Sequence, residues 1–141
     1  EATIIYEKFK NLKWISKYYY PEDEIDLIKK AKEVIMNDNR EKVIVTHYQF
    51  FYLILNNNLN ILNRWYLWDN NTHPTETHAY FEFYKEMINK NISKNKIKII
   101  YLFGAGMRFE KIKNYFDNIC FKNTVVIEKK FSYHEIVNCK T

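Results

Sequence analysis

Glycine and proline are scarce in this chain of 141 residues, which has two of each. That scarcity excludes collagen-like sequences and disordered Pro/Gly-rich sequences. Cysteine is scarce as well, because Cys120 and Cys139 are the only two and form no CxxC or Cys/His pattern of a zinc site. Two interpretations stay open: two free thiols in a reducing compartment, or one disulfide that closes the C-terminal strands and requires an oxidising compartment.

Long apolar runs are also missing. No stretch of the sequence reaches the roughly 18 apolar residues that a membrane span requires, and the first residues lack the layout of a signal peptide. The chain begins at Glu1 without an initiator methionine and enters a strand-like segment almost at once. We therefore expect a fragment of a longer protein.

The residues that are abundant indicate one globular domain. Hydrophobic residues make up 47% of the chain, aromatic residues 18% and charged residues 28%, a composition typical of folded rather than disordered chains. The length is that of a single domain. The net charge of +5 comes from scattered basic residues, without the basic stripe and interleaved aromatics of a nucleic-acid interface, so no nucleic-acid partner is predicted.

The order of periodic segments predicts an α/β fold. Apolar β-branched runs alternate with segments whose apolar residues recur every three or four positions. Core strands are expected at 42–48, 97–103 and 124–128, an edge strand or hairpin partner at 131–139, and weaker strands at 2–6 and 13–20. Helices are expected at 21–36, 49–55, 75–93 and 108–116. We therefore predict a three-layer sandwich with a small, mainly parallel, Rossmann-like sheet.

Both glycines of the chain lie in one turn, where Gly104 and Gly106 follow an apolar strand and precede a helical pattern. Ligands of open α/β sheets bind beyond the carboxyl ends of the strands, so His47, after the preceding strand, is expected to lie nearby. The sequence predicts an alternative phosphate site formed by Gly104, Gly106 and Arg108. The dinucleotide fingerprint is incomplete, because Phe109 stands where the third glycine would be; the glycines otherwise serve only to turn the chain.

A long loop at 60–74 carries the residues that we expect to contact a substrate. Arg64, Trp65, Trp68 and Asp69 combine aromatic faces with a forked guanidinium and a carboxylate, which suits carbohydrate or protein recognition. His47 is counted with them as a substrate-binding candidate. The competing interpretation is that the indoles fold back over the sheet while Arg64 pairs with Asp69.

Metal and catalytic motifs are not evident. His73, His78, Asp69 and Glu76 lie within ten residues of one another, but their spacing matches no metal motif. No GxSxG sequence is present, and neither cysteine has the context of a nucleophile. We therefore predict no catalytic residue, metal or cofactor.

Several sequence blocks, in order, carry a family resemblance: VIVTHYQF, NLNILNRWYL, a helix rich in Tyr and Phe, KIKIIYLFG, NICF and VNCK. From Lys42 onward, this layout resembles the soluble C-terminal module of bacterial GT-C-type polytopic membrane glycosyltransferases, related to the dolichyl-phosphate-mannose mannosyltransferases. The resemblance implies a location at the periplasmic face of the inner membrane and a disulfide between Cys120 and Cys139. It places the catalytic acids of the family outside this chain.

The resemblance also implies a function. The chain would be a non-catalytic extramembrane module that assists sugar transfer from a polyprenyl-phosphate donor, in a parent protein that is a glycosyltransferase. Its partners would be the membrane-embedded remainder of the same polypeptide and a glycan or lipid-linked sugar. The alternatives are a stand-alone cytoplasmic α/β domain that binds a nucleotide or phosphorylated metabolite, and an interaction domain that uses exposed Trp65 and Trp68.

Overall fold

A computed structural model describes residues 21–55, 59–63 and 73–139, together with the backbone of two short N-terminal strands. The elements in chain order are β1 (Thr3–Ile4), β2 (Lys13–Trp14), α1 (Pro21–Asn37), β3 (Lys42–Val45), α2 (Phe51–Ile54), α3 (Phe81–Lys94), β4 (Ile99–Phe103), two 3₁₀ turns (Phe109–Lys111 and Lys113–Tyr115), β5 (Cys120–Phe121), β6 (Val125–Glu128) and β7 (Phe131–Val137). None of the helices in these ranges has the length and apolar character needed to cross a membrane.

The main sheet is mixed. β3 and β4 are parallel, β7 runs antiparallel to β4, and β5 and β6 both pair with the other edge of β7. β1 and β2 form a separate antiparallel pair. The prediction of a mainly parallel, Rossmann-like three-layer sandwich is therefore wrong, and the chain forms a small mixed α/β domain. Only Lys129 and Lys130 separate β6 from β7, and so short a connection can join only antiparallel strands.

The core lies on both faces of the parallel pair. Successive residues of β3 and β4 alternate between the faces and are all buried. On one face, Ile44, Tyr101 and Phe103 pack against α1 and α2. On the other face, residues of the same strands pack against α3 and the second 3₁₀ turn. Burial on both faces explains why the sequences of these two strands are nearly continuous apolar runs.

Helix α1 forms where its sequence pattern predicts. Three acidic residues occupy its first turn, where they interact favourably with the partial positive charge of the helix N-terminus. Its buried stripe consists of Ile25, Ile28, Ala31 and Ile35. The helix therefore contributes one apolar face to the sheet.

Helix α3 begins later than predicted. Residues 75–80 form consecutive turns, in which His78 N donates to Thr75 O at 2.8 Å and Phe81 N donates to His78 O at 2.9 Å. Tyr80 is the N-cap residue and makes no side-chain capping bond, so Thr75 is not the cap. The predicted inner stripe is confirmed, because Phe81, Tyr84, Ile88 and Ile92 are all buried.

The segment after β4 is not the predicted α-helix of residues 108–116. It forms two 3₁₀ turns joined at Ile112. Ile112 and Tyr115 are buried three positions apart, and Phe109 packs against the same cluster. A spacing of three matches the 3₁₀ period rather than the α-helical one.

The C-terminal strands differ from their predicted roles. β7, expected at an edge, is central and pairs with three strands. β6, expected in the core, lies at the outside, where Val125 is 42% exposed and Val126 is 68% exposed. β5 was not predicted, because Cys120 and Phe121 are too few to give a strand pattern.

Candidate functional site at the ends of the parallel strands

The carboxyl ends of β3 and β4 bring His47 against Gly104, which confirms that the two loops are neighbours. A Cβ atom on Gly104 would lie 2.7 Å from Cε1 of His47, closer than real side-chain contacts allow. Gly104 also has a φ of +118°. Glycine is required here both for the backbone conformation and for the close approach of the imidazole.

The first turn of α1 completes this end of the sheet. The Tyr48 hydroxyl donates a hydrogen bond to Oε1 of Glu24, and both residues are buried. The His47 ring lies 4.1 Å from the Tyr48 ring, between centroids. His47 is open to solvent on one side, but its partial burial lowers its pKa, and the Glu24 carboxylate opposes that effect.

The amides of the glycine turn bond largely within the protein. Gly104 N donates to Lys130 O at 2.9 Å, and Met107 N donates to Gly104 O at 3.3 Å. Gly106 has a φ of +77°, and a Cβ there would meet nothing within 4 Å. One hydrogen bond therefore closes the turn and another ties it to the connection between β6 and β7, with open space on the outer side of Gly106.

A cleft of about 370 Å³ lies between this turn and the hairpin of β6 and β7, and we call it the hairpin cleft. It is lined by residues 102, 104–110, 124, 126, 128–132 and 134. The predicted phosphate-binding residues Gly104, Gly106 and Arg108 are all in this lining. His47 is not, because it contacts Gly104 from another side. The structure thus brings three of the predicted residues together and separates the histidine from their cleft.

His134 forms part of the floor of the hairpin cleft. It is 2% exposed, its ring stacks on Phe109 with centroids 3.8 Å apart, and its Nε2 lies 3.2 Å from the Thr124 hydroxyl. Burial lowers the pKa of His134, against the opposing effects of Glu110 and of a hydrogen bond with the Lys122 backbone. Sequence reasoning missed this residue. The alternation of side chains along β7 puts His134 on the same face of the sheet as Ser132 and on the opposite face from Tyr133.

The opposite, amino-terminal end of β4 carries a network of ion pairs. Arg40 contacts Asp38 at 2.9 Å and Glu135 at 2.9 Å, and Lys122 also pairs with Glu135. The Tyr101 hydroxyl donates to Asp38 Oδ2 at 2.7 Å. Although burial acts to raise the pKa of Asp38, the hydrogen bonds from Arg40 and Tyr101 lower it to about 2. The charged residues at this end are thus bound to one another.

The predicted substrate-contacting residues Arg64, Trp65, Trp68 and Asp69 lie outside the described residues. The residues that flank them are described. Asn63 Nδ2 donates to the Tyr84 hydroxyl at 2.8 Å, and the buried His73 has its ring 6.2 Å from the Tyr84 ring, between centroids. The described residues on either side of positions 64–72 therefore lie beside Tyr84 of α3.

A second cleft of about 470 Å³, which we call the flank cleft, begins at His73, the first described residue after positions 64–72. Its lining consists of residues 73–77, Phe81, Lys111, Asn114 and Tyr115. The Tyr115 hydroxyl donates to Pro74 O at 3.0 Å, and Asn114 donates to the Glu76 carboxylate. Rings and planar polar groups thus line one concave surface.

Cys120 and Cys139 form a disulfide, with their Cα atoms 5.0 Å apart. The bond joins β5 to the residues after β7, across a sequence separation of 19. Of the two interpretations that the sequence left open, the structure has the bonded one.

Comparisons with protein-family models, with curated proteins and with solved structures find no match to this chain. Any functional conclusion therefore rests on the residues and geometry described above, together with the resemblance noted from the sequence.

Proposed function

We propose that this chain is a non-catalytic extramembrane module of a membrane glycosyltransferase, on the periplasmic face of the inner membrane, that assists sugar transfer from a polyprenyl-phosphate donor. The observation that supports this most directly is the disulfide between Cys120 and Cys139. Disulfides persist in oxidising compartments such as the periplasm and are rare in the cytosol. The resemblance in sequence layout supplies the class of parent protein, and the disulfide agrees with the compartment in which such a module would work.

The flank cleft supports contact with a glycan. Phe81 and Tyr115 contribute aromatic rings to its lining, and Glu76 and Asn114 contribute a carboxylate and an amide. Aromatic surface combined with a few oriented polar groups is typical of small-molecule sites. The cleft begins at His73, directly after residues 64–72 in the chain, and these residues include the predicted contact residues Trp65 and Trp68.

Trapping the thiols in the cell tests the compartment. In the complete polypeptide, free thiols are blocked with N-ethylmaleimide in intact cells, and the protein is then treated with maleimide-polyethylene glycol with and without reduction. We expect Cys120 and Cys139 to gain polyethylene glycol only after reduction. A Cys139→Ser variant is the control, because its Cys120 should be blocked at the first step and gain none afterwards. Blocking of both thiols in the unreduced wild type would contradict the proposal.

Sugar transfer from a polyprenyl-phosphate donor, measured in membranes, tests the role. Trp65→Ala, Trp68→Ala and Glu76→Gln should each raise the KM for the acceptor roughly tenfold, equivalent to about 1.4 kcal/mol of binding, with kcat unchanged. Phe83→Ala is the matched control, since Phe83 is 71% exposed on α3 and does not line the flank cleft. Unchanged KM in all three variants would contradict glycan contact, and loss of kcat alone would contradict a non-catalytic role.

A further inference from the structure

We infer that the hairpin cleft binds the phosphoryl group of a small organic phosphate, a ligand of the size of a monosaccharide phosphate. This site is separate from the flank cleft, and its argument does not depend on the proposed function. It rests on the shape of the cleft, the polar group on its floor and the partnering of the cations that line it.

The cleft exists because the sheet is covered unevenly. On the face occupied by α3, the parallel pair is packed under a full helix. Over β7 and β6, the covering chain is the turn at 104–110, which leads into two short 3₁₀ turns rather than an α-helix. Val126 of β6 consequently remains 68% exposed at the margin. The result is a concavity of about 370 Å³ with a strand floor.

Ser132 is the polar group that the floor offers to a ligand. It pairs in register with Leu102 across β4 and β7, is half-buried, and lines the cleft. Its hydroxyl has no hydrogen-bond partner in the part of the chain that the structure describes. The neighbouring His134, in contrast, is held by Thr124 and by the Lys122 backbone. Ser132 is therefore free to bond a ligand, while His134 fixes the floor beneath it.

Arg108 and Lys129 supply positive charge from the two walls. Both line the cleft, and neither forms an ion pair within residues 21–55, 59–63 and 73–139. Lys130 lines the cleft as well. Two carboxylates are present, but Glu128 is paired with Lys30 of α1, which leaves Glu110 against the two cations Arg108 and Lys129. The excess charge of the lining is therefore positive.

These groups match the chemistry of a phosphate monoester. A guanidinium forms forked hydrogen bonds with phosphate oxygens, an ammonium adds a point charge, and a hydroxyl donates one further bond. Leu102, Met107 and Val126 contribute apolar surface to the same lining. Because the volume exceeds what a phosphoryl group alone requires, the cleft has room for the organic part of the ligand.

Calorimetric titration of the oxidised chain at pH 7 tests the inference, with glucose 1-phosphate, inorganic phosphate and glucose as probes. We expect glucose 1-phosphate to bind, inorganic phosphate to bind at least tenfold more weakly, and glucose not to bind. Arg108→Gln and Lys129→Gln should each weaken glucose 1-phosphate at least tenfold, and Ser132→Ala several-fold. Lys113→Gln is the charge-matched control, since Lys113 is exposed outside the cleft, and it should bind as the wild type does.

Three results would overturn the inference. The first is absence of glucose 1-phosphate binding by a folded wild-type chain. The second is equal weakening by Lys113→Gln and Lys129→Gln, which would indicate binding by overall charge. The third is equal affinity for inorganic phosphate and glucose 1-phosphate, which would exclude contact with the organic part. None of these results would alter the thiol-trapping or sugar-transfer outcomes, so the two proposals fail independently.

Discussion

The two ends of β4 differ in how their charged residues are partnered. At the amino-terminal end, Arg40 binds both Asp38 and Glu135, and a buried tyrosine hydroxyl donates to the same cluster. At the carboxyl end, Arg108 and Lys129 line a cleft without ion pairs among the described residues. Charges that bind one another stabilise the fold, whereas Arg108 and Lys129, which form no ion pair among the described residues, are available to an anion. This difference in pairing is the basis for inferring a structural role at one end and binding at the other.

The largest effect on stability is expected at the turn that forms the carboxyl end. Gly104→Ala forces a Cβ to within 2.7 Å of His47 at a φ of +118°, and strain combined with overpacking should destabilise the protein by about 3 kcal/mol. Gly106→Ala is the matched control, because it meets open space at a φ of +77° and should cost about 1 kcal/mol. Urea unfolding measures both. Equal losses would show that His47 does not press on Gly104.

Removal of the disulfide is expected to have the next largest effect. The bond between Cys120 and Cys139 closes a loop across 19 positions. Cys139→Ser should therefore destabilise the protein by about 3 kcal/mol, mainly because the unfolded chain gains conformational entropy when the bond is absent. Reduction of the wild type should give the same loss, measured by urea unfolding with and without reductant. If reductant leaves the free energy of unfolding of the wild-type protein unchanged, the disulfide is not stabilising.

Asp38→Asn tests the network at the amino-terminal end of β4. It removes the charged acceptor of Arg40 and Tyr101, and loss of charge-assisted hydrogen bonds should destabilise the protein by about 2 kcal/mol. Asp26→Asn is the control, because the Asp26 carboxylate is 77% exposed and pairs only within α1 with Lys29; it should change stability by less than about 0.5 kcal/mol. Equal effects of the two substitutions would remove the structural role of the network.

Acid should unfold the protein partly through the same network. The pKa of Asp38 in the folded protein is about 2, below its value near 4 in an unfolded chain. Its contribution is therefore complete above about pH 5 and is lost as the pH falls toward 2. The pKa of Glu135 is lowered by Lys122 and then Arg40, which acts in the same direction. Unfolding measured from pH 7 to pH 2 should show a shallower loss in Asp38→Asn, and parallel curves would refute this assignment.

The smallest effect on stability is expected at the carboxyl end of β4, where the hairpin cleft lies. Arg108→Gln removes a cation that has no ion pair in the described part of the chain, so stability should change by no more than about 0.5 kcal/mol. Arg40→Gln, which breaks two ion pairs, should cost clearly more in the same urea experiment. A larger loss in Arg108→Gln than in Arg40→Gln would reverse the comparison.

The parts of the fold that the sequence predicts are those with a strong period. The stripe of α1 and the apolar runs of β3 and β4 are evident because packing on the sheet imposes a spacing on the residues. The same logic placed His47 near Gly104, since parallel neighbours end at the same edge. These features depend only on the local sequence pattern and on the parallel pairing of β3 with β4.

The remaining features depend on pairings that a single sequence does not reveal. The two-residue connection at Lys129–Lys130 makes β6 and β7 antiparallel, and β7 is central because it also pairs with β4, antiparallel, on its other edge. The hairpin cleft forms only when Arg108 and Ser132 line the same surface, although 24 positions separate them in the chain. No short sequence motif predicts that arrangement. The network of Asp38 and Glu135 likewise forms only after β7 pairs with β4.

Backbone amide chemical shifts, followed by NMR while glucose 1-phosphate is added to the oxidised chain at pH 7, test the central comparison most directly. The account predicts shifts confined to residues 104–110 and 124–134, with residues 38–42 and Glu135 unchanged. Shifts centred on the Asp38 and Arg40 end, or spread evenly over exposed lysines, would contradict the assignment of binding to the carboxyl end of β4.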